Sequence, residues 1–212
     1  MKPAVAIPAR MEALPCDPRG YPVPVVVTRA SDGRPLFAVN DSVESMRCVR
    51  RKLCPICGSR LTKDLWFAGG PYAAFHWAGK YFDSAMHHEC MEYALQVCPY
   101  LAMPRFLIRD SQARLNAVQA QTGGGVWLVD NTQTPERPIV FVVIKAYGQT
   151  VTPGPNLTLL VAPMRPYHAV EFWSEGQRIA LEDGLALVRS LYGKGERDLT
   201  ERDVTGALRL LL

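Results

Sequence analysis

Apolar residues recur along this chain in short runs that polar residues, prolines and glycines separate. Residues 23–28 and 36–39 are two such runs on either side of an Asp-Gly pair, a combination that predicts a β-hairpin. A second hairpin is predicted where residues 65–67 and 72–77 flank a Gly-Gly-Pro sequence. The proline-rich residues 1–22 carry no period and predict an N-terminal arm.

Helical spacing of apolar residues occurs twice in the first half of the chain. Asp41 with Glu44 is a capping-box pattern, and apolar residues at helical spacing follow it up to Leu53. A second helix is predicted to begin near His87. It should end around Pro99, because proline cannot continue the backbone hydrogen bonds of a helix.

The second half of the chain follows a different order. A loop is predicted at the three glycines of residues 123–125, and residues 139–147 form a nearly continuous β-branched and aromatic run typical of a buried strand. Two further strands and two closing helices are predicted at residues 157–162, 167–173, 181–192 and 200–212. Strands followed by helices, without regular alternation, predict an α+β fold with an antiparallel sheet.

The composition is that of an ordinary folded protein. With 212 residues, 48% of them hydrophobic, the chain can bury a sizeable core without disulfides. No apolar run approaches the ~18 residues of a membrane span, and the N-terminus lacks the continuous apolar stretch of a signal peptide. We therefore expect a cytoplasmic protein with no membrane partner, whose 6 cysteines are metal ligands or core thiols.

Two short motifs carry metal-type spacing. Cys54 and Cys57 stand in the sequence CPICG, and His87 and Cys90 stand in HHEC at the start of the second predicted helix. C-x2-C on a tight turn and H-x2-C on one helical turn each allow two side chains to bind the same ion. These four residues are predicted to form a closed, structural Zn²⁺ site.

Other histidines and cysteines are weaker ligand candidates. His88 could replace His87, because the two are adjacent. Cys98 lies about 12 Å along the helix from Cys90, too far to bind the same ion easily, and is predicted to be a core thiol. Cys48 is a less favoured ligand, and Cys16 lies in the arm.

Positive charge is concentrated around the first metal-type pair. Between residues 43 and 63, Glu44 is the single acidic residue among six basic ones, which are Arg47, Arg50, Arg51, Lys52, Arg60 and Lys63. Basic clustering of this kind is expected where a protein contacts phosphates, and it also occurs on helix faces that are merely solvated.

The order of a cysteine knuckle, a hairpin and a helix with a second ligand pair resembles the treble-clef zinc fingers, and the ligand order Cys, Cys, His, Cys is similar to that of LIM modules. A further resemblance is to poorly characterised bacterial and phage-type proteins whose second element matches His87, Cys90, Tyr93, Ala94, Cys98, Pro99, Tyr100 and Leu101. The resemblance covers roughly residues 41–101. It implies zinc and a treble-clef-like module, and it carries no established activity.

Two enzymatic interpretations compete with a structural zinc site. CPIC resembles the C-P-x-C sites of thioredoxin-like proteins, but the preceding segment is predicted to be an Arg-rich helix rather than a buried strand. An HNH-like nuclease would need a general base and further metal-binding groups, for which the candidates are His76, His88, Asp83 and Glu89. A protein without enzymatic activity is the preferred interpretation.

The sequence predicts three units along the chain and leaves two main hypotheses for its function. Residues 1–22 are expected to be an arm, residues 23–110 a zinc-binding module, and residues 111–212 an α+β part that packs on the module. The first hypothesis is nucleic-acid binding through the six basic residues, with nearby aromatic residues mostly in the core and some exposed for stacking. The second is a module that binds or inhibits a protein partner, and the HNH-like nuclease ranks lower.

Overall fold

Three antiparallel sheets, six α-helices and a short 3-10 helix, Ala9–Met11, make up the part of the chain that the computed structural model describes, which is residues 5–102, 127–128, 140–154, 159–193, 199–209 and 211. The helices are α1 Ser42–Arg51, α2 Pro71–Phe75, α3 His88–Val97, α4 Pro99–Ala102, α5 Leu181–Arg189 and α6 Glu201–Ala207. The strands are β1 Val27–Arg29, β2 Pro35–Asn40, β3 Leu65–Gly69, β4 Trp127–Leu128, β5 Val140–Ala146, β6 Gln149–Pro153, β7 Leu159–Pro163, β8 Ala169–Ser174 and β9 Gln177–Ile179. A search of these described ranges finds no helix with the length and apolar character that a bilayer crossing requires.

The prediction of an α+β fold with antiparallel strands is confirmed. The sheets have the orders β1-β2-β4, β3-β5-β8-β9 and β6-β7, and every pair of neighbouring strands is antiparallel. The first predicted hairpin is present as β1 and β2, with Gly33 at φ +81° in its turn. The predicted loop at residues 123–125 lies outside the described residues.

Local capping signals place the starts of two helices, α1 and α6, correctly. The Asp41 carboxylate accepts hydrogen bonds from the backbone N–H groups of Val43 and Glu44 and so caps α1. Glu44 does not complete a capping box, because its side chain pairs with Arg47 at 2.7 Å. At the other end of the chain, Thr200 and Asp203 form the complete box at the start of α6.

The second predicted hairpin is wrong. Residues 71–75 form helix α2, with Gly70 at the N-cap and Pro71 in the first turn, where a missing N–H costs nothing. β3 finds its strand partner far along the sequence in β5, with Leu65 opposite Ala146 and Gly69 opposite Val142. Only a single bridge, from Trp66 to Met86, joins β3 to the chain that leads into α3.

The central sheet separates two apolar cores. Alternate residues of β5 point to opposite faces, so Val142 and Ile144 pack with α2, α5 and α6, whereas Val143 packs with Trp173 on the other side. The second core also contains the cysteines of both metal-type motifs and Met11 of the arm. The metal-type residues therefore pack against one face of the sheet on which the main core is built.

The close approach of α5 to the sheet gives a stability test. A Cβ atom added at Gly184 would lie 2.0 Å from Cγ of Phe172, a fully buried ring, so Gly184→Ala should lower the free energy of unfolding by about 2 kcal/mol or more through overpacking. Gly206 in α6 is the matched control, because nothing lies within 4 Å of its added Cβ. There, alanine should stabilise by up to ~1 kcal/mol. Urea unfolding followed by circular dichroism measures both, and equal stability of the two variants would contradict this packing.

Candidate metal centre

A tight turn after α1 holds the first pair of thiols. α1 ends at Arg51, and the C-cap residue Lys52 adopts the left-handed conformation at φ 54°. The backbone then folds back on itself, since Cys54 N–H donates to Ser59 O at 2.8 Å and Gly58 N–H donates to Cys54 O at 2.9 Å. Gly58 has φ +73°, a conformation that glycine adopts without strain. The resulting loop presents Cys54 and Cys57 on its inner side, away from solvent.

The first turn of α3 supplies the second pair. His87 is the N-cap residue of α3, and Cys90 follows three residues later, so both side chains lie on one face of the helix start. The Sγ atoms of the three cysteines and one ring nitrogen of His87 all lie within 4.8 Å of one another. Cys54 and Cys90 are fully buried, and Cys57 and His87 are 8% and 5% exposed. This cluster could hold a metal ion, and His87 rather than His88 is its imidazole.

One donor-to-donor distance in the cluster is close to the value expected on a tetrahedral ion. Sγ of Cys57 lies 3.3 Å from Nδ1 of His87. Zinc bond lengths to sulfur and nitrogen imply about 3.5 Å between two such donor atoms on one tetrahedral ion. This pair therefore needs little rearrangement to bind one ion, and all four donor atoms lie within 4.8 Å of one another.

The orientation of His87 is set by a backbone carbonyl. Nε2 of His87 lies 3.1 Å from the carbonyl oxygen of Arg60, and a carbonyl can only accept a hydrogen bond. Nε2 therefore carries the proton, which leaves the lone pair of Nδ1 facing the thiols. A hydrogen bond of this kind to the far nitrogen is the usual support of a metal-binding histidine.

The three thiols compete for protons when they lie this close. Hydrogen bonds from Cys54 and Cys90 lower the pKa of the Cys57 thiol. Hydrogen bonds with Cys54 and Cys57 raise the pKa of Cys90, and the hydrogen bond with Cys57 raises the pKa of Cys54 to about 11. One thiolate is therefore stabilised by its neighbours, whereas three adjacent thiolates require a cation among them.

The N-terminal arm covers the cluster. Met11 is buried in the same core as the three cysteines. The Arg10 guanidinium pairs with Glu89 of α3, and its Nη1 lies 3.5 Å from Nε2 of His87. Three thiolates with a divalent ion would carry a net charge of −1, which Arg10 is well placed to offset. No local pattern in the sequence pointed to Arg10, which lies 44 residues before the first of these cysteines.

His88 belongs to a separate group of ion pairs. Its Nε2 lies 3.0 Å from Glu171 and its Nδ1 lies 3.4 Å from Glu92. Burial lowers the pKa of His88, but the hydrogen bond and charge of Glu171 outweigh it and the net pKa is raised. The side chains of His88, Glu92 and Glu171 are near enough to one another for a metal, yet Arg178 also pairs with Glu171 at 3.3 Å. An imidazolium that bridges two carboxylates accounts for this group without an ion.

The groups considered for a nuclease site have separate partners. His76 stacks on Tyr72 with ring centroids 4.3 Å apart, and its Nδ1 accepts from the N–H of Ala78. Asp83 accepts a hydrogen bond from Asn40, and Glu89 is paired with Arg10. None of His76, Asp83 and Glu89 belongs to a metal-type cluster within the described ranges. The thioredoxin-like interpretation also lacks its structural context, because the CPIC sequence follows a helix and lies in a turn.

The predicted phosphate-binding residues lie around the cysteine turn. Arg47 is neutralised by Glu44 at 2.7 Å. The other five are exposed, and among the residues that the structure describes no carboxylate pairs with them; we call Arg50, Arg51, Lys52, Arg60 and Lys63 the basic face. Of the nearby aromatic residues, Phe67, Phe75 and Tyr81 are in the core as expected, whereas Trp77 is 81% exposed.

Comparisons with protein-family models, with curated proteins and with solved structures find no match to this chain. The described geometry, rather than a family, therefore carries the functional argument. What it establishes is a buried Cys₃His cluster that could hold a metal ion.

Substitution of the two adjacent histidines tests which of them belongs to the metal centre. His87→Ala should remove a donor and reduce bound metal well below one equivalent per chain, because three thiols remain without the imidazole. His88→Ala is the matched control. It breaks the ion pairs with Glu92 and Glu171 and should keep the metal. Elemental analysis after gel filtration measures both, and metal loss in His88→Ala with retention in His87→Ala would reverse the assignment.

Proposed function

We propose that this chain is a non-enzymatic zinc protein that binds nucleic acid through the basic face. Zinc is the ion proposed because three thiolates and one imidazole are a usual donor set of structural zinc sites, and the four donor atoms here lie within 4.8 Å of one another. Four protein donors would fill the coordination sphere and leave no open position for a substrate. We also propose a reducing, cytoplasmic setting, in which cysteines are more often metal ligands or core thiols than disulfides.

The metal-type segment is proposed to be a treble-clef-like module with an insertion. The cysteine turn comes first, β3 pairs through the Trp66–Met86 bridge with the chain before α3, and α3 carries the second ligand pair at its start. Helix α2 lies between the two bridged residues. We further propose that this module and the C-terminal part form one unit, since β3 and β5 are neighbouring strands.

The observation that carries the proposed function is the unpaired charge of the basic face. The acidic side chains closest to it in sequence are already paired, Glu44 with Arg47 and Asp64 with Lys145. Five cations without carboxylate partners in the described part of the chain favour a polyanionic partner, because phosphates would supply the missing counter-charges.

The metal centre and the basic face share backbone contacts. The carbonyl of Lys52 accepts from the N–H of Leu61 at 2.8 Å, and the carbonyl of Arg60 accepts from His87. Lys52 and Arg60 are thus held on the two arms of the turn that carries Cys54 and Cys57. A bound metal would fix the position of these charges.

A protein partner is the second candidate function, and the exposure of Trp77 favours it. The Trp77 side chain is 81% exposed. Large exposed aromatic side chains are frequent anchors of protein interfaces. Trp77 lies beside His76, whose carbonyl is bound by Arg165. Such a partner, including one that the chain inhibits, would bind without phosphate contacts.

Salt-dependent binding tests the proposed function. Five phosphate contacts predict that the affinity for duplex DNA falls with a slope of about −4.5 in log K against log salt. Arg50→Gln with Arg51→Gln should weaken binding at low salt and reduce the slope by about 2. Arg202→Gln with Arg209→Gln removes the same charge from exposed positions in and after α6, and should leave binding unchanged. Absence of retention on heparin and DNA at low salt would refute nucleic-acid binding.

A further inference from the structure

A groove of about 360 Å³ lies beside the basic face. Four parts of the chain form it, and they are the end of α1 and the residues after it, the residues before and at the start of β3, Ser84, and the turn between β5 and β6. The lining residues from the three longer parts are Cys48, Val49, Lys52 and Leu53, then Leu61, Thr62, Lys63 and Leu65, then Tyr147, Gly148 and Gln149. The register of β3 and β5, with Leu65 opposite Ala146, brings Lys63 and Tyr147 to the same end of the two strands. This volume is at the lower end of the range for small-molecule sites and suits a single nucleotide.

The charge of the groove is positive. Lys52 and Lys63 both line it, and its lining contains no acidic residue. The neighbouring carboxylate, Asp64, is held by Lys145 at 2.9 Å. The groove therefore favours an anionic group, and it continues the basic face onto the sheet.

The rest of the lining suits a flat base. Val49, Leu53 and Leu61 form an apolar part of the groove, and Tyr147 contributes an aromatic ring that is 65% exposed. The Tyr147 ring centroid lies 3.7 Å from that of His168, so the ring is supported while much of it stays open to a ligand. The Gln149 carbonyl oxygen accepts from the N–H of Ala85, which leaves its NH₂ group as the donor for a base edge.

We infer that this groove binds one nucleotide of a single strand, with the phosphate at Lys52 and Lys63 and the base stacked on Tyr147. The inference rests on the proposed nucleic-acid binding and adds strand specificity to it. Bases of a duplex are paired and stacked on each other, so they cannot enter the groove unless the duplex opens. All five residues of the basic face, Lys52 and Lys63 included, can contact phosphates of either form, so duplex binding needs no base in the groove.

Substitutions of Tyr147 test the inference. Their effect on the affinity for oligothymidine, oligouridine and a short DNA duplex is measured by fluorescence anisotropy. Tyr147→Ala should weaken single-strand binding at least about fivefold, the loss expected for one stacked base, and change duplex binding less than about twofold. Tyr147→Phe keeps the ring and should bind as the wild type does. Trp77→Ala removes a still more exposed aromatic residue outside the groove and should have no effect.

The outcomes separate this inference from the proposed function. If the wild type binds the probes and Tyr147→Ala binds single strands with unchanged affinity, the inference about the groove is overturned and the proposed function stands. An equal loss in Trp77→Ala, or an equal loss of duplex binding in Tyr147→Ala, overturns it as well. Wild-type protein that binds none of the probes overturns the proposed function and the groove together. A stronger effect on one of the two single-stranded probes would show whether DNA or RNA is preferred, and it supports the groove in either case.

Discussion

The convergence of three thiols and one imidazole in a buried cluster is the constraint on which the rest of this structure depends. Three thiols this close together cannot all ionise easily without a bound cation, because deprotonation of one hinders deprotonation of the others. A divalent cation bound among them would remove this conflict. It would also join the turn after α1 to the start of α3, two segments that already meet at the hydrogen bond from Nε2 of His87 to the carbonyl of Arg60.

The central sheet connects the cysteine cluster to the rest of the chain through packing on its two faces. β5 is buried on both faces, with Val143 toward the cysteines and Val142 toward the main core. The arm adds a second restraint, because Met11 packs beside the cysteines and Arg10 reaches Glu89. A structural change at the metal centre would therefore reach both the sheet and the basic residues on the adjoining turn.

Features with local causes could be predicted from the sequence. The C-x2-C and H-x2-C motifs, the Asp41 and Thr200 caps and the apolar run of β5 each depend on residues within a few positions. The second hairpin was wrong because Pro71 fits the first turn of a helix as well as a turn between strands. The β3–β5 pairing, the contact of Arg10 with Glu89 and the groove between Lys63 and Tyr147 join residues distant in sequence, and no local pattern indicates them.

The metal content of freshly purified, reduced protein tests the central claim most directly, when it is measured together with circular dichroism before and after chelation. We predict about one equivalent of zinc per chain, and loss of ordered structure when a chelator removes it, since binding of a structural zinc ion is coupled to folding. Protein that is natively folded and contains no metal would contradict the account.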